Sequence, residues 1–328
     1  MAADPDRQCA ARHLPDAAPR RVPLLRPGQI LGPVGLTLMG KASRKKSQGK
    51  KAPRDPRTMP APFARRPFEG LPGESELVGM REIIPAATAT VTFTHEGSDH
   101  EATLATVLPM AWSGLHRSDG SVLVALQSGG SSGDASRDLA EALLATLALP
   151  EGTPLTSAPK ASAASPRLQD LLTGTDLEVT LHEGFDFWVE DQELDADGKA
   201  SLDRANEAVA PTVRLSSAAS AYWCRLGNRC YVRWILPHDE DAATDALARL
   251  HAAGNSRLGD GRLLGAFRTC GLLVPVWEVA ADQPAESHAD DLGELAARFE
   301  TALAETTPLT ADERRARHGI VSRQVTLR

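Results

Sequence analysis

Four groups of residues have types and spacings suited to chemistry. Gly129-Gly-Ser131-Ser-Gly133 fits the pattern G-x-S-x-G. In that pattern a sharp strand-to-helix turn lifts a serine nucleophile above a sheet. With Asp and His residues downstream, His238 among them, Ser131 would serve a hydrolase. A Gly/Ser loop produces the same pattern by composition alone, and this one runs into Asp134, a good helix N-cap. Its backbone N–H groups would suit an anion, but no P-loop lysine follows and Asp134 would repel a phosphate.

Two further groups imitate metal sites. Glu193-x-Asp195-x-Asp197-Gly198 opens like a calcium loop, yet its twelfth position is Arg204, where a bidentate carboxylate is required. It reads as a solvated acidic turn. Cys224, Cys230 and Cys270, with His238 and His251, are zinc-ligand types, but no Cys-x-x-Cys pair exists. A hairpin turning at Gly227-Asn228 puts Cys224 opposite Tyr231 and Cys230 opposite Arg225. Side chains alternate along a strand, so Cys224 and Cys230 fall on opposite faces and share neither an ion nor a disulfide. No metal and no cofactor is expected.

The same hairpin supplies the fourth group. One face carries Tyr222, Arg229, Tyr231 and Arg233, the other Trp223, Val232, Trp234 and Leu236. The tryptophan face reads as core. Phenol and guanidinium planes stack on bases and on aromatic ligands, so Tyr222, Arg229, Tyr231 and Arg233 are ligand-binding candidates. The plainer reading is an outer face of snorkelling side chains, or one covered by a neighbouring helix.

The elements that must position these groups follow from periodicity. Leu77, Met80 and Ile84 share a helical face ending at Pro85. Strands are expected near Val91–Phe93, Ala102–Leu108 and Val122–Leu126, with an Asp119-Gly120 turn. Leu139, Leu143, Leu144 and Leu147 line a helix before Pro150. After a Thr/Ser/Ala/Pro-rich stretch, Ser165 and Pro166 open a short helix closed by Gly174. Strands near Leu177–Leu181 and Phe185–Val189 precede a helix bearing Leu202 and Val209. Beyond the hairpin come a helix with Leu247 and Leu250, strands at Arg262–Phe267 and Leu272–Val279, and a helix opened by Ser287 and Asp290. A capping box from Thr310 to Glu313 opens a last, basic helix ending at Gly319. The nonapeptides ending at Thr156 and Thr310 resemble one another, which suggests two related halves. Strands come in hairpins, so the expected fold class is α+β, with antiparallel or mixed sheets packed by amphipathic helices. The expected organisation is an arm over 1–65, halves over 66–156 and 166–328, and a linker over 157–165.

Composition bounds the rest. The 328 residues suit about two domains, and 42 % hydrophobic with 24 % charged residues describes an ordinary globular protein. Four Cys are too few for a disulfide framework, and no apolar run is long enough to span a membrane. The net charge of −7 conceals a split. Residues 1–66 hold 15 of the 36 Lys+Arg but only 4 of the 43 Asp+Glu, which leaves +11 there and −18 on the remainder. Twelve of the 23 prolines lie between Pro5 and Pro72. Such a segment buries too little apolar surface to offset its ordering entropy and is expected to be disordered. Lys41, Arg44, Lys45, Lys46, Lys50 and Lys51 concentrate its charge and are the polyanion-binding candidates, suited to RNA or another acidic partner. Arg20-Arg21 lacks the apolar segment of a secretion signal, so a cytoplasmic location is expected, and translation from Met39 is the simpler start.

Several phrases resemble an uncharacterised actinobacterial family, a domain of unknown function. They are Arg66-Pro-Phe-Glu-Gly-Leu-Pro-Gly-Glu74, Thr106-Val-Leu-Pro-Met-Ala-Trp112, Ser132-Gly-Asp-Ala-Ser-Arg-Asp138, Gly184-Phe-Asp-Phe-Trp188, Asp245-Ala-Leu-Ala-Arg-Leu-His-Ala-Ala-Gly254 and Pro308-Leu-Thr-Ala-Asp-Glu-Arg-Arg315. The resemblance covers about residues 66–328. Members are often labelled SecA-like preprotein translocase subunits, because some carry a zinc-binding N-terminal Cys motif. Here Cys9 is the one Cys before Cys224, so that motif is missing. The resemblance implies a family and no activity. The sequence favours a non-catalytic binding module with a basic arm; the alternative is an enzyme of unknown reaction, hydrolase-like, using Ser131.

Overall fold

Helix α1 spans Glu74–Glu82 and stops before Pro85, as the Leu77, Met80 and Ile84 stripe predicts, and all three side chains are buried. Glu74 and Glu76 sit in its first turn, where the helix dipole favours carboxylates. The computed structural model describes residues 55–128, 132–189 and 194–322 of the chain.

Strands β1 (Ala87–His95) and β2 (Ser98–Ala105) form a hairpin across Glu96-Gly97, both with positive φ. That backbone matches the right-handed strand twist. After β3 (Gly114–His116), strand β4 (Val122–Ala125) lies parallel to β2. Helix α2 (Ala135–Leu147) follows, capped by the Asp134 side chain, and then β5 (Thr153–Leu155), α3 (Leu168–Leu171) and β6 (Val179–Leu181). These strands make one mixed six-stranded sheet in the order β5-β3-β4-β2-β1-β6.

Helix α4 (Ala196–Glu207) precedes β7 (Thr212–Arg214), β8 (Ala221–Leu226) and β9 (Arg229–Trp234). The β8–β9 turn falls at Gly227-Asn228 with Leu226 opposite Arg229, as the sequence predicts. Helix α5 (Glu240–Ala252) leads to β10 (Arg262–Thr269) and β11 (Leu272–Val279), and the chain ends in α6 (Ala289–Leu303) and α7 (Ala311–Ser322). The second sheet is antiparallel, in the order β10-β11-β9-β8-β7. The fold is therefore α+β, with one mixed and one antiparallel sheet.

Four elements differ from the expectation. Helix α3 is a single turn with Arg167 at its N-cap and Leu171 as its last residue, where the sequence opens it at Ser165-Pro166 and closes it at Gly174. Residues near Phe185–Val189 form a tight helical turn, Asp186–Trp188, in place of a strand. The turn brings Phe185 and Trp188 into a stack, with ring centroids 4.4 Å apart and 14° between planes. Helix α6 starts at Ala289, because Ser287 lies in a preceding turn and its hydroxyl donates to the Pro284 carbonyl. Helix α7 runs through Gly319 to Ser322. Its capping box is as expected: Thr310 N–H donates to the Glu313 carboxylate and Glu313 N–H to the Thr310 hydroxyl.

The second sheet is packed on both faces. Its Trp223, Trp234 and Trp277 side join α5, α6 and Ile320 of α7 in one core. Its other face gives Tyr222, Ile235, Leu272 and Val274 to a second core with α1, α2 and the first sheet. A Cβ on Gly79 of α1 would stand 3.1 Å from Ile235 and 3.4 Å from Tyr222, so the contact is close. Residues 55–68 are strapped over this body. Pro60 bridges to Ser162, Ala64 N–H donates to the Gly133 carbonyl, and Arg65 pairs with Glu240 at 2.7 Å.

Candidate functional site

The strongest candidate is a cleft on the first sheet, on the face away from the main core. There Ala105, Leu108, Leu123 and Ala125 form a small apolar shelf, with Trp112, Leu115, Phe187 and Trp188 packed on it. Strand β4 alternates, so Val122 and Val124 serve the main core while Leu123 and Ala125 serve the shelf.

Trp112 is set by the turn Pro109–Ala111. Within it Met110 (φ 51) and Ala111 (φ 56) are both left-handed. That conformation costs about 1 kcal/mol or more for a residue with a Cβ. Met110 ends up 87 % exposed at the rim. Trp188 is set by the Asp186–Trp188 turn, and its indole N–H donates to the Val107 carbonyl at 2.8 Å. Asn206 of α4 holds that turn by accepting from Phe185 N–H at 2.7 Å.

Between them the walls enclose about 380 Å³, a volume in the range of small-molecule sites. Pro109, Trp112, Leu115, Trp188 and Leu202 of α4 are among the apolar residues that line it. Among the described lining residues Arg117 carries the one charge and no carboxylate is present. The Arg117 guanidinium donates to the Phe187 carbonyl, which ties it to the turn bearing Trp188. Behind Phe187, the His182 ring lies 4.8 Å away and its Nε2 pairs with the Thr88 hydroxyl. Burial pushes the His182 pKa down, partly opposed by Asp186. The described residues offer apolar and aromatic walls and two serine hydroxyls, Ser118 and Ser201.

The candidates on the hairpin lie elsewhere, whereas Gly198 of the acidic turn lines the cleft. Tyr222, Tyr231 and Arg233 do share one face of the hairpin, but it is an inner face, and all three are buried. The Tyr222 hydroxyl donates to Glu76 of α1. Tyr231 packs with Cys224 and Val276. Arg233, 9 % exposed, lies by the Cys224 thiol, and burial lowers its pKa. Arg229 stands at the exposed end of the hairpin and pairs with Glu278 at 3.5 Å. Cys224 and Cys230 occupy different cores on opposite faces, as the turn geometry requires. Asp195 caps α4 by accepting from Gly198 N–H. His238 pairs with Glu300 and His251 with Ser256. Among the described residues no three His, Cys, Asp or Glu side chains are grouped to hold a metal ion. Ser131, Glu193, and Lys41, Arg44, Lys45, Lys46, Lys50 and Lys51 lie outside the described residues.

Sequence reasoning missed the cleft, although both of its tryptophans lie in phrases that carry the family resemblance. A usable signal was present: the chain has 5 Trp, and Trp112 and Trp188 stand apart from the three in the second sheet. No helix of the described residues is long and apolar enough to cross a membrane. No curated protein and no solved structure matches the chain. A family model does match, over residues 67–328, and the chain belongs to that family of unknown function, DUF5926.

Proposed function

We propose that this protein is a binding module, in which the body takes a small, largely apolar ligand in the Trp112/Trp188 cleft. The observation that supports the reading is a recess of about 380 Å³ whose described lining is mainly apolar and includes two indoles, Trp112 and Trp188. The basic arm, through Lys41, Arg44, Lys45, Lys46, Lys50 and Lys51, supplies weak attachment to a polyanion such as RNA, in the cytoplasm.

Titration with anilinonaphthalene sulfonate, an anionic dye that brightens in apolar recesses, tests the cleft. The dye should brighten on the wild-type protein and fail to brighten on Leu202→Trp, which fills the recess. Equal brightening of both would place the dye elsewhere and defeat the reading. For the arm, removal of residues 1–54 should abolish a salt-sensitive shift of single-stranded RNA, and an unchanged shift would reject the tether.

A further inference from the structure

We infer that the strap over residues 55–66 is a base-stacking contact for single-stranded nucleic acid, with the Phe63 ring as its stacking surface and Arg57 as its phosphate contact; this rests on the reading of the arm as a polyanion tether.

Phe63 is out of place for a phenyl ring. Among the described residues three large apolar side chains are exposed, Met59, Phe63 and Met110. Phe63 is the one aromatic of the three and stands 80 % exposed. A ring left in water forgoes the burial that a Phe normally contributes, so a guest that covers it gains that term.

The ring is carried by a fixed backbone and not by a loose end. The Met59 carbonyl accepts from Ala163 N–H at 3.0 Å, Pro60 bridges to Ser162, and Ala64 N–H donates to the Gly133 carbonyl at 2.9 Å. Between these anchors Ala61 is buried, and Pro60 and Pro62 hold φ on either side of it. A Cβ on Gly133 would stand 3.7 Å from Cδ2 of the Phe63 ring, so one ring edge rests against the body. Little ordering of the strap is then needed when a planar guest lies on the ring.

Charge selects the class of guest. On the N-terminal side of the ring the chain carries Lys50, Lys51, Arg54 and Arg57 against Asp55. Arg57 is exposed in the turn Pro56–Thr58, where its N–H donates to the Asp55 carboxylate at 3.0 Å. On the C-terminal side Arg65 is held by Glu240 at 2.7 Å, beside Asp239 and Asp241. Phosphates are therefore drawn to the Arg57 side and repelled at the start of α5. An aromatic ring and a run of cations in one stretch of chain match a strand whose bases are unpaired and whose backbone is charged. An apolar protein surface would match the ring and leave the cations without a role.

The test uses two probes that differ in their bases: a short oligoadenylate, and inorganic polyphosphate, which has the charge and no base. Calorimetry on the full chain follows both. Phe63→Leu, which stays apolar but has no π face, should weaken oligoadenylate binding about fivefold to tenfold and leave polyphosphate binding unchanged. Phe63→Tyr should bind both probes as the wild type does. In a salt titration with oligoadenylate, Arg57→Ala should reduce the slope of log affinity against log salt by about 0.7, whereas Phe63→Leu should keep the slope. Since the ring is exposed, Phe63→Leu should melt with the wild type. Unchanged oligoadenylate binding in Phe63→Leu would overturn the stacking assignment, give the ring to a protein partner and leave the tether reading standing. Equal losses for the two probes would also overturn it, because the bases would then play no part. Binding of neither probe by the wild type would overturn both readings.

Discussion

The hydroxyl of Tyr222 on β8 donates to the carboxylate of Glu76 on α1, across 146 residues of sequence. Glu76 also accepts from Arg214 and from the Ser220 hydroxyl, each at 3.0 Å, and the Ser220 and Ser75 hydroxyl oxygens are 2.7 Å apart, so Ser75 donates to Ser220 when Ser220 donates to Glu76. One helix turn is thereby fastened to the second sheet through a single carboxylate. The phenol is buried, and burial first, then the Glu76 charge, raises its pKa above the ordinary value.

That shift fixes a pH dependence. The folded state holds the phenol proton more tightly than the unfolded chain does. Its stabilising effect is complete below about pH 10, the unfolded value, and is lost as pH rises from there through the folded value. Tyr222→Phe should cost about 1–2 kcal/mol at pH 8, since Glu76 keeps its other donors. In urea unfolding at pH 10.5 the gap between the two proteins should shrink. A gap that stays constant between the two pH values would show that the phenol does not titrate as described.

Glu240 predicts an asymmetry between partners. Its side chain is 7 % exposed and lies between Arg65 at 2.7 Å and Arg268 at 2.6 Å, which are 64 % and 47 % exposed. A buried carboxylate depends on its partners, whereas an exposed guanidinium is rehydrated when its partner leaves. Glu240→Gln should therefore lower stability by about 1–2 kcal/mol, and Arg65→Ala by less than about 1 kcal/mol. Thermal unfolding of both variants checks the order; the reverse ranking would contradict the burial argument.

The rim of the cleft stores strain that a substitution can release. Ala111 has φ 56 and is exposed. Glycine adopts that backbone without a Cβ clash, against a loss of chain entropy on folding. Ala111→Gly should raise stability by up to about 1 kcal/mol. Chemical denaturation measures it, and a clear loss of stability would mean that the left-handed turn is relaxed in solution.

The contrast between hairpin and cleft shows which physics is local. Gly227-Asn228, the Thr310–Glu313 capping box and the alternation that separates Cys224 from Cys230 are each settled by a few adjacent residues, and each is found where the sequence places it. Alternation also groups Tyr222, Tyr231 and Arg233 correctly on one face. It says nothing about what covers that face, and α1, far away in sequence, does so for Tyr222. The parallel pairing of β2 with β4 is likewise set by packing and not by a turn. The cleft was the least legible feature, because Trp112 and Trp188 come from irregular turns that carry no periodic signal. The apolar run near Phe185–Val189 suits a strand as well as a turn, and the choice rests on stacking with Phe185 and on Asn206.

Gly114 of β3 tests whether that cleft depends on the helix behind its sheet. A Cβ at this position would lie 2.0 Å from Oγ1 and 3.0 Å from Cβ of Thr146, a buried residue of α2. Strand and helix cannot both stay in place. Gly114→Ala should cost about 2–4 kcal/mol through overpacking. The Thr146 hydroxyl donates only to the Ala142 carbonyl of its own helix, so Thr146→Ala alone should cost about 1 kcal/mol. The double substitution removes the nearest clashing atom, and it should recover much of the loss caused by Gly114→Ala. Strictly additive losses in a double-mutant cycle would mean that the two residues are not in contact. Since Leu115, the next residue of β3, lines the cleft, Gly114→Ala should also weaken dye binding, and the Thr146→Ala partner should restore it.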